Sequence, residues 1–340
     1  MGDAMTRLLV GTYARLHGRG LYPLEEQSGG WAAGEPYAEA ANASFGVFSA
    51  RYGLHYLVDE ADHHVCILRC REGEWEMVAR IETNGAEPCH LALDDEESRL
   101  AVAHYGSGSV TLLQLDPTNG LPVAPERVHR NGGHGPDAER QEGPHAHWVG
   151  FRDGWLYQTD LGTDQVLAFQ VDGERALAEP EVAYTAPAGS GPRFIAFHPA
   201  QPFAYLVSEL ASTLTVLDIG GPRLYEHASL SMLPPGFSAK TLGGHVAINR
   251  TGNRLYATNR GHDSIAVFAL AEDGTPSLLQ HVPSGGASPR FMLLEEEERR
   301  LFVANEEGGS VAVFDVSKDG RLEASALPIA VPGAVFLFRA

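Results

Sequence analysis

Five short segments of the chain carry, directly after a proline or a glycine, a side chain that could take part in chemistry. The five positions are Cys89, His145, Arg193, His245 and Arg290. An imidazole exchanges protons readily near neutral pH, and a guanidinium group binds carboxylates, phosphates and developing oxyanions. If the fold brings these positions together, two arginines and two histidines form a positive, titratable cluster in an acidic protein. We therefore predict a functional site where they meet.

A carboxylate and a further guanidinium group, Glu209 and Arg260, are candidates for the same site. Glu209 belongs to the same repeat unit as Arg193, and a carboxylate next to a buried guanidinium group is held ionised and oriented. Arg260 is singled out only because it follows a polar position matching that of Glu209 in the next repeat. The alternative to a functional role is that Glu209 forms an ion pair that only stabilises the contact between two strands. The matching positions elsewhere are also polar, and for most of them we predict hydrogen bonds to turns or neighbouring strands: Thr12, Glu60, His104, Asp160, Asn259 and Asn305.

The His-Ala-His sequence at 145–147 has two interpretations. Alternate residues of a strand share a face, so both imidazoles are expected to point the same way. They would then either hold a metal together with a carboxylate or act as one catalytic base, His145, with His147 as a supporting neighbour. No further histidine or aspartate stands at an obvious ligand spacing, so the sequence favours the base, with no metal and no cofactor.

A repeat in the sequence predicts the strands that position these residues. Six segments consist of an apolar strand, a polar turn and a second alternating strand: 54–68, 99–113, 155–169, 203–217, 254–268 and 300–314. Equivalent residues in them, from Val58 to Val303, are 44, 56, 49, 50 and 46 positions apart, and a looser copy around Val10 lies 48 positions before Val58. A period near fifty built only of strands predicts an all-β, seven-bladed β-propeller with four-stranded antiparallel blades around a central channel. We expect one such domain over residues 1–340.

The five segments with reactive side chains precede their hairpins by a nearly fixed interval. From Pro88 to His104 it is 16 residues, and from Pro192 to Glu209 it is 17. Proline is tolerated at the first residue of a strand, so we place these segments on the innermost strands, which line the channel. Residues 130–144 form the longest turn-rich stretch inside the repeat, and long loops in a compact domain are often functional.

Composition narrows the classes of partner. The formal net charge of −19 repels polyanions, so we expect no nucleic-acid binding, although a local arginine cluster still suits a small anionic substrate. The three cysteines are too few for a disulfide framework. No stretch reaches the roughly 18–20 apolar residues of a membrane span, and the N-terminus lacks the apolar region of a signal peptide. We expect a cytoplasmic protein with no membrane contact, and nothing in the sequence indicates its oligomeric state.

Several segments together carry a resemblance to a known family. They are NASFGVFS, YGSGSVTLL, RQEGPHAHWV, LYQTDLGTDQVLAFQVD, PAGSGPRFIAFHP, YLVSELASTLTVL and LYATNRGHDSIAVF. Over essentially its whole length the chain resembles the seven-bladed propeller lactonases, which include the cycloisomerase-like 6-phosphogluconolactonases and the fungal carboxymuconate cyclases. The resemblance implies that the chain has the seven-bladed propeller fold and that it is an enzyme acting on a lactone.

The resemblance also implies which residues form the active site. A histidine, two arginines and a glutamate of the family fall on His145 of PHAH, Arg193 of GPRF, Glu209 of SEL and Arg260 of NRGHDS. His147 and Arg290 are then substrate-binding or supporting residues. Two departures stand out. The segment GGHVAINR replaces a pattern with a glutamate and a later histidine, so His245 has no direct counterpart, and His104 replaces a common asparagine.

The implied chemistry is hydrolysis of a small anionic lactone, with 6-phosphogluconolactone of the pentose phosphate pathway as the leading substrate. His145 would take a proton from water, and Arg193 and Arg260 would bind the oxyanion and the acidic group of the substrate. Glu209 would orient an arginine or act as the acid on the leaving alkoxide. The alternatives are a lactone-forming cycloisomerase that uses the same residues, a propeller that only binds a ligand or partner, and, less favoured, a metal-dependent lactonase.

Overall fold

The computed structural model describes residues 8–27, 30–171, 177, 179–297 and 299–339, without the side chains of 124–126. Seven antiparallel sheets follow one another along the described chain, six with four strands and one with an additional short fifth strand, which confirms the predicted all-β, seven-bladed propeller. The two ends of the predicted domain, residues 1–7 and 340, lie outside the described residues.

In chain order the strands are β1 (Leu8–Thr12), β2 (Tyr22–Gln27), β3 (Gly30–Ala33), β4 (Gly46–Ser49), β5 (Leu54–Asp59), β6 (His64–Arg71), β7 (Glu74–Glu82), β8 (Pro88–Leu93), β9 (Arg99–His104), β10 (Ser109–Leu115), β11 (Pro122–Arg130), β12 (Ala146–Arg152), β13 (Trp155–Asp160), β14 (Gln165–Gln170), β15 (Glu181–Thr185), β16 (Pro192–Phe197), β17 (Phe203–Ser208), β18 (Thr213–Gly220), β19 (Arg223–Ser231), β20 (Leu242–Ile248), β21 (Arg254–Arg260), β22 (Ser264–Leu270), β23 (Pro276–Pro283), β24 (Pro289–Glu295), β25 (Arg300–Asn305), β26 (Ser310–Val316), β27 (Leu322–Ala324), β28 (Ile329–Ala330) and β29 (Ala334–Arg339). A single 3-10 turn, Ala14–Leu16, is the one helical element of the described chain. No helix in this part of the chain is long and apolar enough to cross a membrane.

The two ends of the chain share one blade. Its strand order is β29-β1-β2-β3, so the C-terminal strand is innermost and pairs with β1 from Leu8↔Arg339 to Thr12↔Ala334. The other six blades are continuous in sequence, β4–β7, β8–β11, β12–β15, β16–β19, β20–β23 and β24–β27, with β28 adding to β26 in the last. This pairing of first and last strands joins the two ends of the described chain in one blade and so closes the ring.

Buried tyrosines link consecutive blades. Tyr56, Tyr205 and Tyr256 lie at equivalent places on second strands and are fully buried. Each hydroxyl donates a hydrogen bond to a glycine carbonyl in the turn after the third strand of the next blade, for example Tyr56 to Gly120 at 2.6 Å and Tyr256 to Gly320 at 2.9 Å. The rings pack between the sheets while the hydroxyl groups remain satisfied, so each tyrosine fixes the position of its neighbouring blade.

Five inner strands carry a bulge near their start, at the second residue in four of them and after Gly243 in β20. The register of β8, β12, β16, β20 and β24 against the second strand of the blade shifts by one residue close to the mouth of the channel. An extra residue in one strand bends the strand and re-aims the bulged side chain. In this fold the bulge is the local feature that turns side chains into the channel.

Below the bulges an aromatic plug fills the channel. Each blade contributes one ring, and the plug consists of Phe45, His90, Trp148, Phe194, His245, Phe291 and Phe336. Neighbouring centroids lie between 3.8 Å, for Phe45 and His90, and 6.0 Å, for Trp148 and Phe194. Phe45 also lies 6.5 Å from Phe194 across the channel. The channel is therefore accessible from its mouth and occupied by rings beneath it.

Candidate active site

The bulged residues form a first ring of side chains at the mouth. This bulge ring consists of Cys89, His147, Arg193, Gly244, Arg290 and Val335. The sequence comparison had placed His145 and His245 at this level, and both placements are wrong. His145 precedes β12 by one residue, because Pro144 lies three residues before the bulged residue, whereas the prolines of β8, β16 and β24 lie one residue before it. His245 lies one position deeper, in the aromatic plug, because the glycine before it, Gly244, is itself at the bulge.

A second ring follows the ends of the second strands. This mouth ring consists of Tyr13, Glu60, Tyr105, Leu161, Glu209, Arg260 and Glu306. In five of the blades the ring member donates its backbone N–H to the residue before the inner strand, as Glu209 does to Gly191 at 2.6 Å and Glu306 does to Ser288 at 2.9 Å. The sequence comparison had aligned Glu209 with Asn259 and Asn305. The register instead aligns it with Arg260 and Glu306, so the two charged candidates of neighbouring blades occupy equivalent positions.

Glu209 lies at the centre of a buried ion cluster. Its Oε2 accepts from Arg193 Nε at 2.8 Å and lies 2.6 Å from Arg260 Nη2. His147 Nε2 lies 3.9 Å from the same oxygen. Arg193 and Arg260 also donate to the backbone carbonyls of Gly244 and Gly243, at 2.6 and 2.9 Å. The structure thus brings together Arg193, Glu209, Arg260 and His147 of the predicted site.

The electrostatics of this cluster fix the ionisation of Glu209. Burial alone raises the pKa of a carboxyl group, but the positive charges of Arg260 and Arg193 outweigh it and hold the pKa of Glu209 well below its usual range. A carboxylate that stays ionised at neutral pH has no proton to give. Of the two roles considered for Glu209, the geometry supports orientation of guanidinium groups and opposes that of a general acid.

Arg140 is a member of the cluster that sequence reasoning missed. It donates from Nη2 to Glu209 Oε1 at 2.6 Å and to the Tyr105 hydroxyl at 3.2 Å. It lies in the long loop before β12, which the next residue, Gln141, anchors with bonds to Leu161 O and Asp164 Oδ1, both at 2.8 Å. The unusual length of this loop is the one sequence signal that points to Arg140. A comparison between repeats does not find the residue, because Arg140 has no counterpart in the other repeats.

His145 reaches the cluster through Tyr105. Its ring stacks on the Tyr105 ring with centroids 4.4 Å apart, and its Nδ1 lies 2.9 Å from the Tyr105 backbone oxygen. A carbonyl oxygen only accepts, so Nδ1 carries the proton and Nε2 presents a lone pair in the neutral ring. Nε2 lies 3.3 Å from the half-exposed carboxylate of Glu142. Asp160 holds the loop by accepting the His145 backbone N–H at 2.9 Å.

His147 has different partners from His145, so the two imidazoles do not act as the matched pair expected from strand alternation. The bulge at His147 breaks that alternation. Its ring meets Tyr105 edge-on at 5.7 Å, and its Nε2 faces Glu209. Burial, reinforced by the charge of Arg193, lowers the pKa of His147 well below the ordinary value, so this ring is neutral. Within the described residues, no group of three or more His, Cys, Asp and Glu is placed to hold a metal ion.

Arg290 lies in a second ion cluster of the mouth. Its Nη1 is 3.6 Å from Glu306 Oε2, and Arg15 pairs with the other oxygen of Glu306. Both guanidinium groups lie over the Tyr13 ring, at 5.3 Å for Arg290 and 4.5 Å for Arg15. Burial alone raises the pKa of Glu306, but Arg290 and Arg15 lower it below its usual value. Arg290 is therefore near the predicted site but bound to a different carboxylate.

A cleft of about 440 Å³ opens beside these clusters, a size typical of small-molecule sites. Arg260 and Arg290 line it from the strands, and Arg15 and Lys240 line it from the segments around them. Beneath the mouth a much smaller cavity of about 20 Å³, lined by His147, Arg193 and plug residues, has room for one water molecule.

The two departures from the family pattern have structural explanations. His245 packs edge-on against Phe194 at 4.4 Å, and burial together with Arg193 lowers its pKa to about 3. His104 is fully buried and lies at the end of β9, with its Nε2 2.7 Å from Thr83 Oγ1. Neither residue belongs to the ion clusters. Cys89 is a free thiol whose pKa is raised by burial, which makes it a poor nucleophile.

A seven-bladed propeller with arginine, glutamate and histidine side chains gathered at one mouth has the architecture of a small-molecule enzyme rather than of a structural ring. Residues 7–338 match the family described as lactonase, 7-bladed beta-propeller, and the chain belongs to this family. It is 31% identical over 338 residues, 95% of each chain, to a Bacillus subtilis protein named 6-phosphogluconolactonase.

Two solved structures have the same fold. A Lactobacillus plantarum protein gives a TM-score of 0.90 at 24% identity, covering 99% of both chains. The periplasmic gluconolactonase of Pseudomonas aeruginosa gives a TM-score of 0.89 at 24% identity, again covering 99% of both chains. At this level of identity, the two likenesses bear on the fold alone.

Proposed function

We propose that this protein hydrolyses a lactone bearing an anionic group, with 6-phosphogluconolactone as the first substrate to test. The observation that carries the proposal is the buried Glu209 held by Arg140, Arg193 and Arg260 directly beside an open cleft. Membership in the lactonase family supports the reaction class, and the name of the Bacillus subtilis relative supports the phosphorylated substrate.

The first step assigns the base to His145. With Nδ1 bonded to the Tyr105 carbonyl, the Nε2 lone pair accepts a proton from water as the water oxygen attacks the lactone carbonyl carbon. The carboxylate of Glu142, 3.3 Å from Nε2, stabilises the imidazolium that forms. When the ring C–O bond breaks, the imidazolium returns the proton to the leaving alkoxide, and the product is a hydroxy acid.

The second element is stabilisation of the tetrahedral oxyanion. Arg260 pairs with Glu209 and also lines the cleft, so it is the guanidinium group placed to meet a bound carbonyl oxygen. Arg193 is 4% exposed, and its Nε and Nη1 are bound to Glu209 and Gly244. We assign Arg193 and Glu209 to positioning Arg260, with Arg140 holding the second oxygen of Glu209.

Replacing the proposed base tests the assignment. His145→Ala is expected to lower kcat for 6-phosphogluconolactone roughly 10²–10⁴-fold, the usual contribution of a positioned general base. Ring opening is followed by acid release in weakly buffered solution, with the uncatalysed rate subtracted. His134→Ala is the matched control, because His134 is an exposed histidine of the same loop.

Each outcome separates the candidate functions. Activity of His145→Ala within twofold of the unmodified protein removes His145 as the base. A protein that opens no lactone faster than buffer, yet still binds sugar phosphates, is a binding propeller. A protein that closes an unsaturated diacid to a lactone, and opens none, is a cycloisomerase of the same family.

A further inference from the structure

We infer that the mouth cleft contains a subsite for the phosphate group of the substrate, formed by Lys240 and Arg15. This inference rests on the proposed lactone hydrolysis and names what selects the substrate in the same site. It concerns residues that the comparison of repeats did not single out, because both lie outside the four-stranded blades.

The cleft is lined both by a member of the Glu209 ion cluster and by two cations from segments outside the blade strands. Arg260, one of its lining residues, pairs with Glu209 at 2.6 Å, so one side of the cleft adjoins the proposed reaction centre. Lys240 precedes β20, and Arg15 lies in the 3-10 turn after β1; both line the same cleft. A lactone bound with its carbonyl at Arg260 would therefore extend its far end toward these two cations.

Lys240 is free to bind a ligand. It is exposed, and it has no ion-pair partner among the residues that the structure describes. The chain has only two lysines, Lys240 and Lys318, against 25 basic residues in total. A strongly hydrated, flexible ammonium group suits a phosphate ester as a point charge, whereas the buried arginines are fixed by carboxylates.

Arg15 keeps donors available as well. Its guanidinium group is 62% exposed and pairs with Glu306 through Nη2. A guanidinium group has five N–H donors, so the remaining ones can bind a phosphate oxygen while the pair with Glu306 persists.

Most acidic side chains of the cleft already have partners, either backbone N–H groups or guanidinium groups. Asp263 accepts backbone N–H groups from Gly261 at 3.0 Å and from Ser288 at 2.8 Å. Glu306 is bound by Arg290 and Arg15, which leaves Glu307 as an exposed carboxylate of the rim. A phosphate, with three oxygens and up to two charges, can engage both Lys240 and Arg15, whereas a carboxylate offers two oxygens and one charge.

The test compares two lactones that differ only in the phosphate. The measured quantity is the ratio of kcat/KM for 6-phosphogluconolactone to kcat/KM for gluconolactone. Lys240→Met, which keeps the aliphatic stem, is expected to lower this ratio roughly ten- to a hundredfold, the range for losing a charge-assisted hydrogen bond. Arg15→Met is expected to lower it as well.

Lys318→Met is the matched control, and its ratio is expected to equal that of the unmodified protein. Lys318 is the other lysine of the chain, and it lines a separate cleft of about 390 Å³ built from turns at the opposite end of the strands. An unchanged ratio in both Lys240→Met and Arg15→Met overturns the subsite while leaving lactone hydrolysis intact.

Inorganic phosphate keeps the subsite testable if neither lactone is opened. That result would remove the proposed hydrolysis, but titration with phosphate, followed calorimetrically, still compares the variants. The subsite is supported if the unmodified protein and Lys318→Met bind phosphate equally and Lys240→Met binds it at least tenfold more weakly. Equal binding to all three proteins overturns it.

Discussion

Glu209 draws its three guanidinium partners from three separate parts of the chain: β16, the end of β21 and the loop before β12. Each arginine alone would be an uncompensated buried or half-buried charge, and so would the carboxylate. Such a cluster is stable only when complete, because the desolvation of every charge is offset by its partners. The position of Arg260 in the cleft therefore depends on Glu209 and, through it, on Arg193 and Arg140.

Glu209→Gln is expected to destabilise the fold by about 3–5 kcal/mol, the range for removing one partner of a buried ion pair. The amide keeps the shape of the side chain but leaves Arg193 without a counter-charge. Chemical denaturation at pH 7 measures the change in the free energy of unfolding. Glu74→Gln, on an exposed position of β7, is the control. A loss below 1 kcal/mol would show that the arginines do not need this charge.

At the residue scale, the sequence predicts most of the charged residues that the structure brings together at the mouth, but not their arrangement. Arg193 and Arg290 follow a proline at the start of an inner strand, so their motif placed them correctly. The same motif predicts His145 at a ring position that His147 occupies, because Pro144 lies three residues before the bulge of its strand rather than one. Arg140 could not be found by comparing repeats, since it lies in an insertion.

In several blades, the polar residue at the end of the second strand forms a hydrogen bond to the preceding blade. His104 there lies 2.7 Å from Thr83 Oγ1, Asn259 donates to Met232 O at 3.0 Å, and Asn305 donates to Ser284 O at 3.2 Å. Each partner belongs to the segment that leaves the outermost strand of the preceding blade. His104 thus replaces asparagine in a structural position, as the polar pattern of these sites predicted.

His104→Asn is expected to reduce the acid sensitivity of the fold. Burial lowers the pKa of His104 to about 4, whereas an unfolded histidine titrates near 6.5. Between these values the unfolded chain binds the proton and the folded chain does not, so this contribution to stability is present above pH ~6.5 and is lost as the pH falls toward 4. As the pH falls through that window, the free energy of unfolding of the asparagine variant should decrease by about 1.4 kcal/mol less per pH unit than that of the unmodified protein.

Urea denaturation at several pH values from 7 to 4.5 measures this slope. His134→Asn, on an exposed loop position, is the control and should keep the slope of the unmodified protein. An identical slope for His104→Asn would mean that this histidine is protonated in the folded state.

At the scale of the whole molecule, the blade count followed from the repeat because each blade is one unit of the period. The closing strand was less visible. β29 has no repeat hairpin of its own, and only its pairing with β1 shows that the looser N-terminal copy is completed by the C-terminus. Long-range pairing of this kind has no local pattern in the sequence. A cytoplasmic location stays a prediction.

Phe336→Ala is expected to destabilise the ring by about 3–5 kcal/mol, the usual cost of truncating a buried phenylalanine. Phe336 is 2% exposed on β29 and contacts Phe45 and Phe291, so it belongs to the closure and to the aromatic plug at once. Guanidinium chloride denaturation gives the free energy of unfolding. Leu327→Ala, at a side chain 89% exposed, should change it little. Equal stability of the two variants would show that closure does not depend on this ring.

The aromatic plug has a consequence for the order of events in turnover. Rings from all seven blades occupy the channel, which makes the molecule a cup rather than a tube. Under the proposed hydrolysis, the described channel offers lactone and hydroxy acid the same opening, so we expect the acid to leave before the next lactone enters.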